Sequence, residues 1–434
     1  MNITKIIDFL SSKNIEYYYN IYKETQWYNE EQMRNYQLTK FKKLIEHCYT
    51  NVPFYRNYMK DNKIFPNDIV SMEQATLFPV VTKELIKDRY KDFTPLNLKL
   101  IKGVKSDTTG GTTGNILVKR NDAITRSSIW ATFKRFYDWM DIAERDKKLF
   151  LMGGHVIRKN RLDMLKNKIT NILTNSISFS PYDTSEENYR NIINVLEKND
   201  VALLRGYSQF LFSFCQRLEN EGLKFNIKAV TTTAEPIMPV HRELFKKILN
   251  AETYDQYGCG EIGGIAYECE QHSGLHVSEE RVYLEVNESN QLIITDLDNF
   301  SMPFIRYFNA DEAIVSHKKC RCGRESQVLE KILGRTCDYV KGINGEVLHW
   351  AYFWHLVFDS SISKNNNLRK VQVIQTQKDK LKIRLVSNPL TNAEEEIWIK
   401  NIQSRMGKIN IEFSYEDDIE NSASGKYRPV ICNI

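Results

Sequence analysis

The amino-acid sequence predicts a mixed α/β protein with a large N-terminal domain of mixed sheets and a small α+β domain at its C-terminus. Its 434 residues suffice for a large hydrophobic core and a second, smaller domain. Between about residues 100 and 330, short apolar runs alternate with helical patterns, whereas the C-terminal part follows a strand–strand–helix–strand order. We therefore expect two domains, residues 1–334 and residues 335–434.

The N-terminal segment, up to about residue 95, is predicted to be helical. Phe41, Leu44, Ile45 and Cys48 recur at helical spacing, and Pro53 ends that helix. Farther along, apolar runs at 148–152, 201–204 and 229–232 predict buried strands. The segments 207–221 and 239–249 predict helices between strands, as expected for a mixed or parallel sheet.

The C-terminal segment predicts a smaller sheet with one helix. Residues 371–375, 381–385 and 409–413 have the alternation of half-buried strands. A helix is predicted over 393–406, with Thr391 or Asn392 as its N-cap.

Composition and charge exclude several classes of partner. Hydrophobic residues make up 42% of the chain, charged residues 26%, and the net charge is only +5, which gives no reason to expect a nucleic acid or an anionic membrane. We find neither an export signal nor a membrane span in the sequence, and therefore expect a cytoplasmic protein. The eight cysteines would then be reduced, which favours metal ligation over disulfides.

The sharpest local motif is a loop rich in glycine and threonine at residues 107–115 (DTTGGTTGN). Its backbone N–H groups and hydroxyls can approach a phosphate closely, although an ordinary turn is the alternative. It lacks the Gly-Lys-Ser/Thr ending of a Walker A loop. The candidate phosphate-binding residues are Thr109, Gly110, Gly111, Thr112, Thr113 and Gly114.

Four further segments follow in order. They are residues 231–235 (TTTAE), residues 254–261 (YDQYGCGE), residues 295–307 together with Asp311 and Gly334-Arg335, and residues 424–428 (SGKYR). Each is weak by itself. Together with the Gly/Thr loop they resemble the core motifs of the adenylate-forming superfamily, and in particular its phenylacetate–CoA ligase branch, which includes the ligase-like proteins of capsular polysaccharide gene clusters.

The resemblance implies a role for each motif. The Gly/Thr loop would hold the ATP phosphates, Glu261 would help to ligate Mg²⁺, Asp311 would accept hydrogen bonds from the ribose, and Lys426 would stabilise charge between carboxylate and α-phosphate. The remaining implied nucleotide-binding residues are Ala234, Glu235, Asp255, Gln256, Tyr257, Gly258 and Arg335. The ring of Tyr257 would stack on adenine.

The implied activity has two steps. ATP and a carboxylic acid would give an acyl-AMP, and the small domain, acting as a lid hinged at 335–338, would then withdraw Lys426 and admit coenzyme A, a carrier thiol or an amine. The acid is not specified by the sequence, and a homodimer is left open. The alternative is a non-catalytic nucleotide-sensing protein, because Gly260, Ala310 and Cys337 depart from the family pattern.

A second set of residues could bind a metal. Cys269, His276, Cys320 and Cys322 offer the four N/S ligands of a structural zinc site, with His272 as an alternative ligand. The spacing alone is weak, and four unrelated residues are the competing interpretation. The resemblance strengthens zinc, because similar proteins carry a comparable set.

One aromatic cluster follows the Gly/Thr loop on a predicted helix, and comprises Trp130, Phe133, Phe136 and Tyr137. We interpret it mainly as core, with one member available to line an acyl pocket.

Overall fold

The computed structural model describes most of the chain. The described residues are 8, 14–108, 117–152, 169, 171–181, 183, 185–235, 237–316, 319–335, 339–349, 353, 368, 370–420 and 429–434. Two of the predicted motifs, the loop at 109–114 and Lys426, lie outside these residues.

The elements are numbered here in chain order. The described α-helices are α1 (Ile15–Thr25), α2 (Glu30–Asn51), α3 (Pro53–Asp61), α4 (Lys83–Asp88), α5 (Ala123–Trp139), α6 (Glu186–Lys198), α7 (Ser208–Asn220), α8 (Pro239–Leu249) and α9 (Asn392–Met406). The strands are β1 (Lys105–Thr108), β2 (Val118–Asn121), β3 (Lys147–Leu151), β4 (Ser176–Phe179), β5 (Val201–Tyr207), β6 (Ala229–Thr233), β7 (Glu252–Tyr254), β8 (Gln256–Tyr257), β9 (Ala266–Glu268), β10 (Leu275–Val277), β11 (Val282–Val286), β12 (Gln291–Asp296), β13 (Tyr307–Ser316), β14 (Val328–Arg335), β15 (Tyr339–Lys341), β16 (Val347–His349), β17 (Lys370–Gln377), β18 (Lys380–Val386), β19 (Asn410–Tyr415) and β20 (Val430–Cys432).

A five-stranded parallel sheet, in the order β4-β3-β5-β6-β7, forms the centre of the larger unit. Side chains alternate across it, so Leu204 and Val230 pack towards α6, α7 and α8, while Leu203 and Ala229 pack towards Phe136 of α5. Both faces are buried, which explains the nearly continuous apolar runs of the strands. The predicted parallel sheet and its connecting helices are confirmed.

The chain also forms a seven-stranded sheet in the order β11-β12-β13-β14-β10-β9-β8. The first two N-terminal helices are joined to this part of the chain by buried polar contacts. Gln37 of α2 donates to the carbonyl oxygens of Glu279 and Val282 at 2.9 and 3.1 Å, and the ammonium of Lys40 lies 2.7 Å from Asp298. Pro53 ends α2 as predicted and begins α3.

The C-terminal sheet has four strands in the order β19-β18-β17-β20. β17 and β18 are antiparallel, whereas β18–β19 and β17–β20 are parallel. Thr391 caps α9 and forms a capping box with Glu394, so the first of the two predicted N-caps is the one used. The predicted small α+β fold is confirmed, with β20 as an additional strand.

Contacts between residues divide the chain into two compact units. The larger includes the described residues up to 331 except 310–312, and the smaller includes 310–312 and the residues from 332 onward. The division lies close to the predicted boundary at 334/335, while the hinged lid remains a prediction. Among the described helices, none combines the length and the apolar character that a membrane crossing requires.

The buried cap of α5 provides a test of this architecture. Asp122 is 1% exposed and accepts hydrogen bonds from the N–H groups of Thr125, Phe300 and Ser301 at 2.9 to 3.1 Å. Asp122→Ala should lower the free energy of unfolding by about 2–4 kcal/mol, because it removes a cap and leaves buried donors unpaired. Urea unfolding of the full chain measures this loss.

Ser185 is the matched control, because it caps α6 at an exposed position, where its hydroxyl accepts from the Asn188 N–H at 3.2 Å. Ser185→Ala should cost about 1 kcal/mol. Equal losses of unfolding free energy in the two variants would mean that the contacts of Asp122 with Phe300 and Ser301 add nothing to the helix cap.

Candidate functional site

The predicted nucleotide-binding motifs of the larger unit lie at the carboxyl ends of neighbouring strands. β5, β6 and β7 pair in parallel, and Arg205, Thr231 and Tyr254 stand at matching register positions. The segments that follow these strands therefore leave the sheet at one edge. That edge is where ligands bind in open α/β sheets.

Ala234 and Glu235 follow β6 directly. Ala234 has φ = 69°, a left-handed conformation that non-glycine residues rarely adopt and that recurs at ligand-binding turns. The turn aims Glu235 at α7, where its Oε2 accepts from the backbone N–H of Gln209 at 2.9 Å. The partial positive charge of that helix N-terminus favours the carboxylate.

Asp255 lies between β7 and β8 and is held by backbone and side-chain donors. Its Oδ1 accepts from the Gln256 N–H at 2.8 Å and from the Thr232 hydroxyl at 3.4 Å. Burial, together with the nearby Glu268 carboxylate, raises the pKa of Asp255 to about 7. The carboxyl group therefore titrates near neutral pH.

A network that the sequence analysis missed supports Asp255. The carboxylate of Glu268 accepts the Asp255 N–H at 2.6 Å, and its two oxygens lie 3.0 and 2.9 Å from a single nitrogen of Arg242, Nη2. His272 Nδ1 lies 3.2 Å from the same carboxylate. Nothing in the sequence spacing links these residues, because they come from α8, β9 and the following turn.

Gln256, Tyr257 and Gly258 form the short β8 edge. Gln256 Oε1 accepts from Arg205 at 3.2 Å, and the Tyr257 hydroxyl accepts from the Asn309 amide at 2.6 Å. A Cβ on Gly258 would lie 3.4 Å from the backbone nitrogen of Gly264, so the chain packs closely there. These contacts orient the Tyr257 ring, the predicted adenine platform.

Glu261, the predicted magnesium ligand, is buried with a cation beside it. Its Oε1 lies 3.2 Å from the ammonium of Lys83 in α4, a residue that the sequence analysis did not single out. Burial and the Glu261 carboxylate, which accepts from the Tyr307 hydroxyl, raise the pKa of that phenol. The carboxylate is thus fixed by two partners distant in sequence.

Two other predicted nucleotide-binding residues, Asp311 and Arg335, lie on strands of the seven-stranded sheet. Asp311 lies in β13 and is 7% exposed, and the preceding Ala310 has φ = 63°. The resemblance places Ala310 at a position where glycine is usual, and the left-handed backbone explains that preference. Arg335 ends β14, and its backbone alone is described.

The cysteine and histidine set comes together as predicted. Ligand atoms of Cys269, His276, Cys320 and Cys322 all lie within 4.8 Å of one another. The Cys269 and Cys320 sulfurs are 3.7 Å apart, which matches the edge of about 3.8 Å that a tetrahedral site with metal–sulfur bonds of about 2.3 Å requires. These four side chains therefore fit a tetrahedral metal ion.

His276 is oriented for ligation. Its Nδ1 lies 2.9 Å from the Ser326 hydroxyl, and its Nε2 lies 3.3 Å from the Cys322 sulfur. Burial, together with the Arg324 guanidinium, lowers the pKa of His276 to about 4, so the imidazole is neutral at pH 7. His272, the alternative ligand, contacts Glu268 instead and does not belong to the cluster.

Comparisons with known proteins identify relatives of this chain. Residues 353–433 match the family model of the CapK C-terminal domain. The phenylacetate–coenzyme A ligase of Thermus thermophilus is 23% identical over 345 residues, covering 72% of this chain and 73% of that protein. The Aromatoleum evansii enzyme of the same name is 21% identical over 408 residues, covering 86% of this chain and 87% of that protein.

A solved 2-hydroxyisobutyryl-CoA ligase, described as in its postadenylation state with an acyl-AMP, superimposes with a TM-score of 0.73 at 16% identity. The match covers 93% of this chain and 90% of that one. This chain has the adenylate-forming ligase fold. The predicted fold class and the predicted resemblance to the phenylacetate–CoA ligase branch are both confirmed.

The pH dependence of stability tests the buried state of Asp255. Its pKa rises from an ordinary 3.8 to about 7 in the folded chain, so between pH 4 and 7 the folded state keeps a proton that the unfolded state has lost. Stability should therefore fall as pH rises through this window. Asp255→Asn should remove on the order of 2–4 kcal/mol of that fall.

Urea unfolding at several pH values measures the difference between the two proteins. Burial also raises the pKa values of Glu279 to about 7 and Asp296 to about 6, but both groups remain in both proteins and cancel. Asp61→Asn, at an exposed carboxylate, is the control and should leave the profile unchanged. If the stability of the wild type and of Asp255→Asn changed with pH in the same way, the raised pKa of Asp255 would be refuted.

Proposed function

We propose that this adenylate-forming ligase activates a carboxylic acid with ATP and transfers the acyl group to coenzyme A. In the first step a carboxylate oxygen attacks the α-phosphorus of ATP, and acyl-AMP and pyrophosphate form. In the second step the thiol of coenzyme A attacks the acyl carbon, AMP leaves, and the thiol proton passes to solvent. The arrangement of Ala234, Glu235, Asp255 and Tyr257 at one sheet edge, in a chain related to acid–CoA ligases, carries this proposal.

Each predicted nucleotide-binding residue would have its own role. Ala234, Glu235 and Asp255 would frame adenine on the Tyr257 ring, with Gly258 allowing close approach. We assign the phosphates to the loop at 109–114 and the ribose to Asp311, with Arg335 also on the nucleotide. Lys426 would stabilise the charge that develops between carboxylate and α-phosphate.

Mg²⁺ fits beside Glu261, whose buried carboxylate is already fixed by Lys83 and Tyr307. The ion would supply charge neutralisation at the phosphate oxygens. Glu261 would hold it in place, and Lys83 would stabilise the carboxylate before the ion binds.

The acceptor is proposed to be coenzyme A because the curated relatives are named as coenzyme A ligases. An amine or a carrier thiol would use the same acyl-AMP. A nucleotide sensor is the competing function, suggested by Gly260, Ala310 and Cys337. Exchange of labelled pyrophosphate into ATP with any carboxylic acid separates the two, since a sensor supports none.

We also propose that Cys269, His276, Cys320 and Cys322 bind a structural Zn²⁺. Four protein ligands leave no coordination position for a substrate, as in closed structural sites. The ion would join the turn after β9 to the loop after β13 within the larger unit. The cytoplasmic location proposed from the sequence would keep the thiols reduced.

Loss of the Lys426 ammonium group should affect mainly the adenylation half-reaction. Lys426→Ala should lower the rate of adenylation, measured by pyrophosphate exchange, by on the order of 10²–10³. Transfer from a supplied acyl-adenylate should change far less, because no charge between carboxylate and ATP develops in that step. Lys408→Ala, at an exposed lysine of the smaller unit, is the control. Equal losses in both steps would contradict the assigned role.

Metal analysis tests the zinc proposal. Protein purified without chelator should contain about one zinc per chain, and Cys320→Ser should lose the metal and lower the melting temperature. Cys432→Ser, a cysteine outside the cluster, should keep both. If the wild-type protein contained no metal and Cys320→Ser had the same melting temperature, the proposed zinc site would be wrong.

A further inference from the structure

A buried guanidinium group lies beside the proposed adenylate site. Arg205 stands near the carboxyl end of β5 and is 8% exposed. Alternation along the strand turns it to the same face as Leu203, towards α5, where its guanidinium carbon lies 4.3 Å from the centre of the Phe133 ring. One member of the aromatic cluster therefore packs against this guanidinium group.

Arg205 differs from the other deeply buried arginines in its pairing. The guanidinium groups of Arg135 and Arg281 each contact a carboxylate, from Glu280 and Asp296 respectively. Among the described residues, none of the carboxylates forms such a pair with Arg205. A buried cation without a counter-charge is costly, so a bound anion would remove a large penalty.

Three buried polar atoms near this group lack hydrogen-bond partners among the described residues. They are Arg205 Nε, Gln256 Nε2 and Thr231 Oγ1. Arg205 and Thr231 are register partners on β5 and β6, and Gln256 already accepts from Arg205 through its Oε1. Two N–H donors and a hydroxyl are thus left for an oxygen-rich ligand group.

The ligand group that Arg205, Gln256 and Thr231 would bind is distinct from adenine. Glu235, the predicted adenine contact, turns to the N-terminus of α7, which packs on the opposite face of the sheet from α5. The reacting carboxylate is also a poor match for Arg205, because it loses its charge on becoming the acyl-AMP. A second carboxylate on the acyl group keeps its charge through both steps.

Building on the proposed function, we propose that the acid substrate is a dicarboxylate whose second carboxylate binds Arg205, Gln256 and Thr231. Arg205 supplies the counter-charge and a bidentate fork, Gln256 an amide donor, and Thr231 a hydroxyl. Phe133 packs against the guanidinium and the intervening carbon chain. The site selects an acid by its distal charge.

Pyrophosphate exchange with matched pairs of acids tests this inference. The pairs are monocarboxylic and dicarboxylic acids of equal carbon number, aliphatic from four to eight carbons, together with phenylacetate and 4-carboxyphenylacetate. For at least one pair the wild-type kcat/KM for the dicarboxylate should exceed that of its partner by about 10²-fold. Arg205→Leu should abolish this preference, chiefly through KM for the acid, with KM for ATP unchanged.

Further variants separate binding from folding. Thr231→Val keeps the side-chain shape and should reduce the preference about tenfold, and Arg205→Lys should retain part of it. Arg190→Leu, at an exposed arginine of α6, should leave it unchanged. Equal use of both acids in every pair, or a raised KM for ATP in Arg205→Leu, would overturn this inference alone. Exchange with none of the acids would count against the proposed ligase itself.

Discussion

The parallel pairing of β5, β6 and β7 is the constraint on which the candidate site depends. Hydrogen bonding in register places Arg205, Thr231 and Tyr254 side by side, and the chain leaves all three strands in the same direction. Segments separated by about fifty residues of sequence thereby converge. The apolar faces that bind α5 on one side and α6, α7 and α8 on the other hold this register in place.

Charge compensation then decides what each converging side chain can do. Glu235 is stabilised by a helix N-terminus, Glu261 by an ammonium group, and Glu268 by a guanidinium group. Asp255 lies close to Glu268 and has a raised pKa because its environment is buried. Arg205 is the exception, since its charge is left for a ligand. The same rule, that buried charge requires a partner, thus explains the fixed carboxylates and identifies an incomplete site.

Local backbone strain marks two of the predicted positions. Ala234 and Ala310 adopt left-handed conformations that cost non-glycine residues on the order of 1 kcal/mol. Both precede a carboxylate predicted to contact the nucleotide, Glu235 in one case and Asp311 in the other. Alanine at these turns indicates that the surrounding structure imposes the conformation.

The sequence by itself determined the strands and helices of the parallel sheet, the small α+β fold at the C-terminus, the ordered nucleotide motifs and the four metal-binding candidates. These features depend on periodicity, on capping residues such as Thr391, and on short segments whose meaning is local. Only the tertiary structure decided that His276 rather than His272 joins the cysteines, that Lys83 contacts Glu261, and that Arg205 meets Gln256 and Phe133. These contacts join residues far apart in the chain, and side-chain direction and burial become known only when the sheets and helices have packed.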